Sequence, residues 1–363
     1  MSLGQQIAKQ IDICSFLNDK LFRLPDKEQG EGLIDIHCHT AGIGTGGSGC
    51  FVSPRMRRSF RYRFYLKAFG VTERELLTDG DRLIMQRISQ ALARSRRVSA
   101  AVILALDGVA ARDGELDKAA TEIYIPNEFV ANEVRRYPNL LFGASINPLR
   151  RDALRRLEEA ASDGAVLVKW LPPIQHIDPA DQELVPFYLR LKELGLPLLS
   201  HTGSEHSFTR ARNEFGDPER LRLPLSLGVT VIAAHGAGSG RNQGESNFER
   251  LFRLRDYPNF FVDISALTQL NRPGQLARLL QCREFHGRLL YGTDMPLANS
   301  VLVSPLAFLF RLPFLQLIGI TRIENCWDRD LTLKEKLGLR NEMLVDARKI
   351  LKIPPGRDAG SRE

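Results

Sequence analysis

The chain has 363 residues, 43% of them hydrophobic, enough apolar material for a sizeable core and too much for a disordered chain. A net charge of +7 raises the question of an anionic partner, and five cysteines without a C-x-x-C pair argue against a disulfide framework, so they are expected as reduced, buried thiols.

In chain order, residues 1–30 read as a helical N-terminal extension. They lack the basic start, apolar run and small-residue cleavage site of a secretory signal, so a cytoplasmic protein is expected. "LIDIHCHT" then begins as a buried strand and sets His37 and His39 one residue apart. Alternate residues share one face of a strand, about 7 Å apart at Cα, so the two rings can converge on one object. That object is a metal ion, or the pair are core histidines satisfied by hydrogen bonds; the rest of the chain must decide. Asp35 is expected on the same face one layer deeper, and Cys38 on the opposite face in the core.

The glycine-rich "AGIGTGGSGC" has no following Lys-Ser/Thr, so it reads as a mobile loop over a barrel mouth rather than a phosphate loop. In "SPRMRRSFRYRF" arginines alternate with aromatics. No nucleic-acid motif accompanies the run, so nucleic-acid binding is not expected, and Arg55, Arg57 and Arg58 are assigned to recruiting a small anionic substrate. Helical periodicity follows over 72–94, 126–137, 150–162, 181–194, 245–256 and 273–282. Pro138 and Pro258 stop helices ahead of strands. The most apolar stretch, 301–320, is interrupted by Pro305, Arg311 and Pro313; stable membrane insertion is not expected, and a pocket cover, a dimer contact or a membrane-surface patch is. A homo-oligomer is therefore allowed. A terminal helix over 334–351 and a frayed tail, 354–363, end the chain.

Between the helices lie eight short apolar runs: "GLIDIHC", "VSAAVILAL", "LLFGASI", "AVLVKW", "LPLLSH", "VTVIAAH", "FFVDIS" and "RLLYGTD". Strands alternating with helices pair in parallel through right-handed crossovers, and eight such units predict one (β/α)8 barrel over residues 31–353. Reacting groups in such a barrel stand at the C-terminal ends of strands. Here those ends are His37 and His39, then Lys169, His201, His235 and Asp294 on the fourth, fifth, sixth and eighth strands. One histidine at a strand end is weak evidence; this joint placement in one cavity is strong.

The pattern resembles the amidohydrolase superfamily, in particular its amidohydrolase-related branch, which includes aminocarboxymuconate semialdehyde decarboxylase, lactonases and other hydrolases. It runs from about residue 33 to 296 and rests on "IDIHCHT", "YIPNEFVANEVRRYPNLLFGASINP", "GAVLVKWLPP", "LPLLSHTG", "VIAAHGAG" and "LLYGTDMP". The arginine-rich insertion after the first strand and the apolar segment after the eighth depart from simpler members.

The resemblance implies a TIM-barrel metal-dependent hydrolase with a divalent ion, zinc as the expected metal, on His37, His39, His201 and Asp294. Asp294 would take the proton of an activated water, and His235 would polarise a carbonyl or protonate a leaving group. Lys169 is the fork: carboxylated, it would bridge two metals; unmodified, it would bind a substrate carboxylate beside a single ion, the favoured arrangement. The leading expectation is hydrolysis of an amide, lactone or ester of a small anionic substrate. Non-hydrolytic decarboxylation is the alternative, and a non-catalytic basic binding module a third reading that the intact set of ligands counts against.

Overall fold

The computed structural model describes residues 32–353; the expected N-terminal extension and C-terminal tail lie outside them. All eight runs are strands: β1 (Leu33–His39), β2 (Val98–Leu104), β3 (Leu140–Ala144), β4 (Ala165–Trp170), β5 (Leu198–His201), β6 (Val231–Ala234), β7 (Phe260–Asp263) and β8 (Leu289–Leu290). Each pairs in parallel with the next in chain order. The seam between β8 and β1 closes through backbone hydrogen bonds: Ile36 donates to Tyr291 (3.0 Å), Asp294 to His37 and His39 to Met295 (both 2.9 Å). The fold is a (β/α)8 barrel.

Its interior is filled by alternating side chains such as Ile36, Val102, Val166, Leu199, Ile232 and Leu290, while Ile103, Phe142, Trp170 and Phe260 face the outer helices. The helices stand within a few residues of their expected spans. The 72–94 span divides into Glu73–Asp79, opened by a Thr72–Glu75 capping box, and Arg82–Ala93, because Gly80 turns the chain at φ 80°.

Three expectations are corrected. The terminal helix is Cys326–Lys336, not 334–351. Beyond Gly338 the chain makes short 3-10 turns and delivers Ala347 and Leu351 into the barrel's interior cluster. Second, the loop after β1 is an ordered wall: the buried Asp81 carboxylate accepts the backbone N–H groups of Ile43, Gly44 and Thr45 and the hydroxyls of Thr45 and Ser48, at 2.5–3.2 Å. Third, Asp35 does not share a face with the histidines. A register shift between Asp35 and Cys38 places Ile34 and Ile36 in the interior, lets His37 and His39 follow them inward, and leaves Asp35 and Cys38 on the helix side. The four described cysteines are unpaired thiols. No helix among the described residues is long and apolar enough to cross a membrane.

Candidate active site

The strands' C-terminal ends open into a single cavity. On its floor three donor atoms form a triangle: His37 Nε2 lies 3.2 Å from His39 Nε2 and 3.6 Å from Asp294 Oδ1, and His39 Nε2 lies 3.2 Å from the same oxygen. Ligands about 2.0–2.1 Å from one tetrahedral ion sit about 3.3–3.4 Å apart, so the triangle has the size that a divalent metal requires. Asp294 reaches its vertex from a left-handed backbone, φ 61°, a conformation disfavoured for any residue with a Cβ and recurrent where a side chain must be re-aimed at a site. Gly292, two residues earlier, runs so close to His37 that an added Cβ would stand 3.0 Å from its Cβ.

His37 is prepared for an ion by Asp263. Its Nδ1 lies 2.7 Å from Asp263 Oδ2, while Oδ1 accepts the N–H groups of His235 (2.8 Å) and Ser265 (2.9 Å) and the Ser265 hydroxyl. Burial pushes the His37 pKa down to about 4, with the Lys169 cation adding to it, so the ring is neutral. Burial would raise the Asp263 carboxyl, but His37, His235 and Ser265 together hold it well below the usual carboxylate range. An ionised Asp263 fixes the proton on His37 Nδ1 and leaves Nε2 free to ligate, as carboxylate–histidine–metal arrangements do.

The same network orients His235. With its hydroxyl proton given to Asp263, Ser265 Oγ accepts from His235 Nδ1 at 2.8 Å, which leaves Nε2 bare. Burial, with Arg272 and His37 nearby, holds its pKa well below the ordinary value, so the ring is neutral. In this state His235 is a proton acceptor, and the expected role of donor would require it first to take up a proton.

Four unsatisfied polar groups line the rest of the floor. Lys169 Nζ, His201 Nε2, Gln269 Nε2, and both Nε and Nη1 of Arg272 are buried with no hydrogen-bond partner among the described residues. Burial lowers Lys169 to about 8, against the opposing pull of Asp263, Asp294 and Glu205, and lowers His201 to about 4. For Asp294 burial acts upward, but the hydrogen bond from His39, the neighbouring His37 and the Arg272 cation hold it well below the usual range, so it is ionised. The walls are apolar, with Val52, Met56, Leu66, Phe69, Leu106 and Phe208 among them.

The sequence model of the amidohydrolase family matches residues 34–336. The chain belongs to the amidohydrolase family. Comparison with curated protein sequences gives no match. Among solved structures, an uncharacterised TIM-barrel protein from Bordetella bronchiseptica superposes with a TM-score of 0.51 at 18% identity, covering 84% of this chain and 99% of that one. A Pseudomonas putida protein provisionally assigned as a 2-pyrone-4,6-dicarboxylic acid hydrolase gives 0.50 at 16%, over 92% and 100% of the two chains. A 5-carboxyvanillate decarboxylase from Sphingomonas paucimobilis gives 0.46 at 11%, over 90% and 100%. The likeness to the first two, at these identities, shows the shared barrel and leaves the reaction open.

Of the residues singled out in the sequence of this amidohydrolase, His37, His39, Lys169, His201, His235 and Asp294 all line the one cavity. His201 stands outside the tight triangle: its ring packs edge-on against His235 with centroids 5.0 Å apart, and its Nδ1 lies 3.6 Å from Glu205. Arg55, Arg57 and Arg58 do not reach the cavity. Their helix, Pro54–Arg58, turns Met56 inward and the arginines to solvent, where Arg57 pairs with Glu73 at 3.6 Å. The cavity's arginine is Arg272. His206 lies exposed on the rim, and His176 faces a separate small pocket. Sequence reasoning missed Asp263, Ser265, Glu205 and Arg272. Asp263 had a signal, as the polar residue closing the "FFVD" run of β7; Arg272 had none.

Proposed function

We propose that this amidohydrolase is a metal-dependent hydrolase that cleaves a C–N or C–O bond of an amide, lactone or ester whose body is apolar and which carries an anionic group beside the reacting carbon. The observation that carries the reading is the ionised Asp294 at one vertex of the histidine triangle, where it is both a ligand and a base. His37, His39 and Asp294 would hold the ion, with His201 Nε2 as a further donor. When bound, a divalent ion supplies Lewis acidity, which lowers the pKa of water and polarises a carbonyl; zinc suits two imidazoles and a carboxylate.

Asp294 then accepts the proton of the attacking water, a transfer that its lowered pKa allows only from a water acidified in the site, and once protonated passes it readily to the departing nitrogen or oxygen. Asp263 keeps His37 in the ligating tautomer throughout. Arg272 and Lys169, buried cations without partners, receive the anionic group, and Arg272 suits a planar carboxylate. The apolar walls exclude water and select an aromatic or aliphatic body.

Decarboxylation is the second reading, supported by the same two cations if the carboxylate they hold is the one that is lost. Turnover in heavy-oxygen water, on a panel of lactones, esters and amides of aromatic acids, tests the proposal. Heavy oxygen in the product acid is expected; release of carbon dioxide from a carboxylated aromatic, with no label in the product, would move the assignment to the second reading.

A further inference from the structure

We infer that the rim of the cavity is a docking surface for an anionic lipid membrane. Two segments contribute to this rim, one after β1 that lines it from Thr40 to Leu76 and one after β8 that enters it at Pro296 and Leu297, and these strands adjoin at the barrel seam. Asn299 Nδ2 donates to the Ala68 carbonyl at 3.1 Å, joining the two segments, and the Leu270 N–H donates to Leu302 at 2.9 Å, joining the second to the loop that carries Arg272.

Both segments expose large apolar side chains. Phe310 is 100% exposed, Val301 and Phe60 each 75%, and Leu315 69%. A fully exposed phenylalanine among exposed aliphatics marks an interaction site rather than ordinary surface. The segments are also uniformly basic. No acidic residue occurs from Ile36 to Thr72 or from Met295 to Ile323, whereas Arg55, Arg57, Arg58, Arg61, Arg63 and Lys67 lie in the first and Arg311 and Arg322 in the second. These eight charges account for the entire net charge of +7.

Apolar side chains projecting from a cationic rim match an anionic bilayer, where arginines meet headgroups and the apolar groups enter the acyl boundary. Arg61 already stacks on the exposed Phe60 ring, its guanidinium carbon 5.1 Å from the centroid, so charge and ring are presented together. A second copy of the chain fits poorly, because a two-fold interface would oppose the same excess of positive charge. Nucleic acid would use the arginines but leave Val301, Phe310 and Leu315 without a role. The inference is independent of whether the reaction is hydrolysis.

The test is sedimentation of the full-length protein with vesicles of phosphatidylcholine alone and of phosphatidylcholine with phosphatidylglycerol. Binding to the anionic vesicles only, weakened by salt, is expected. Phe310→Ser with Leu315→Ser should lower the partition coefficient about tenfold or more, and Arg55→Gln with Arg58→Gln and Arg63→Gln about a hundredfold, at roughly fivefold per charge. These side chains are exposed, so an unchanged circular dichroism spectrum and melting midpoint establish that the variants fold. Equal binding to both vesicles, or none, overturns the inference. So does a dimer in sedimentation velocity that Phe310→Ser dissociates, or a DNA duplex bound more tightly than the vesicles with no effect of Phe310→Ser.

Discussion

The substitution Asp263→Asn isolates one hydrogen bond of the candidate metal site. Asp263 Oδ1 faces the backbone N–H groups of His235 and Ser265 and the Ser265 hydroxyl; Oδ2 faces His37 Nδ1 alone. Two backbone donors cannot turn away, so the asparagine must keep its oxygen toward them and set its NH₂ against His37. An NH₂ group has only donors to offer, and His37 Nδ1 must then accept. The ring proton moves to Nε2, the atom that should ligate. Metal binding would require the asparagine to flip against two fixed donors or His37 Nδ1 to turn to the Ser265 hydroxyl oxygen, 3.1 Å away and already accepting from His235, and the site also loses a buried negative charge. Losses of this kind usually cost 10- to 100-fold in metal affinity, about 1.4–2.7 kcal/mol. Competition against a chromogenic chelator measures it, with circular dichroism to establish that the isosteric variant folds. An Asn variant with the affinity of the wild type would refute the tautomer argument and, with it, the assignment of His37 Nε2 as a ligand.

Asp294→Asn is expected to keep the fold and much of the metal while kcat falls by about 10²- to 10⁴-fold, and Asp294→Ala to lose metal as well; elemental analysis beside steady-state rates checks both, and near-normal turnover by a metal-loaded Asn variant would remove Asp294 as the base. Neutralising Arg55, Arg57 and Arg58 together should leave KM for a soluble substrate unchanged, since none reaches the cavity, whereas Arg272→Gln should raise it about tenfold or more. Lys169 titrates at about 8 in the folded protein against an ordinary 10.5. Between those values the unfolded chain holds the proton and the folded chain does not, so stability rises as the pH climbs from about 8 to about 10.5, and at neutral pH burial of this charge costs about 3 kcal/mol. Lys169→Met should recover part of that in metal-free protein and abolish the rise, and urea unfolding curves with the same pH dependence in both proteins would contradict the shift.

The barrel was legible because its two signals are local. Eight apolar runs separated by helical periodicity leave one economical arrangement, and the residue ending each run then falls at the mouth. The cavity-lining histidines, Lys169 and Asp294 follow from that placement alone. What escaped depends on geometry that no window of sequence encodes. Arg272 lies beyond β7 in a loop with no periodicity, and only the folded chain carries it over the floor. The arginines of the insertion misled because alternation with aromatics does not say which set turns inward; burial of Met56 and Tyr62 decided that against them. The terminal helix was misplaced because residues 344–351 have apolar content suited to a helix, and tertiary packing used it to fill the bottom of the barrel instead. Asp35 was put on the wrong face because strict alternation of period two cannot anticipate a bulge.

The displaced Asp35 joins the fold to the site. Its carboxylate, fully buried on the helix side of the sheet, accepts from the backbone of His37 (3.0 Å), the backbone (3.0 Å) and hydroxyl (2.5 Å) of Thr293, and the Trp327 indole (2.8 Å). Burial pushes it up to about 6 even against these four donors. Three of the donors belong to the segments that close the seam, so one carboxylate fixes the backbone at His37 and at the residue before Asp294. The β8 strand is only two residues long and has little ladder of its own with which to hold that register. The spacing of the histidine–aspartate triangle is therefore set from the opposite face of the sheet, by a residue that does not itself line the cavity. A bulge that looks like an irregularity in β1 does two things at once. It turns both histidines inward, and it frees Asp35 to lock the strand that brings the third member of the triangle to them.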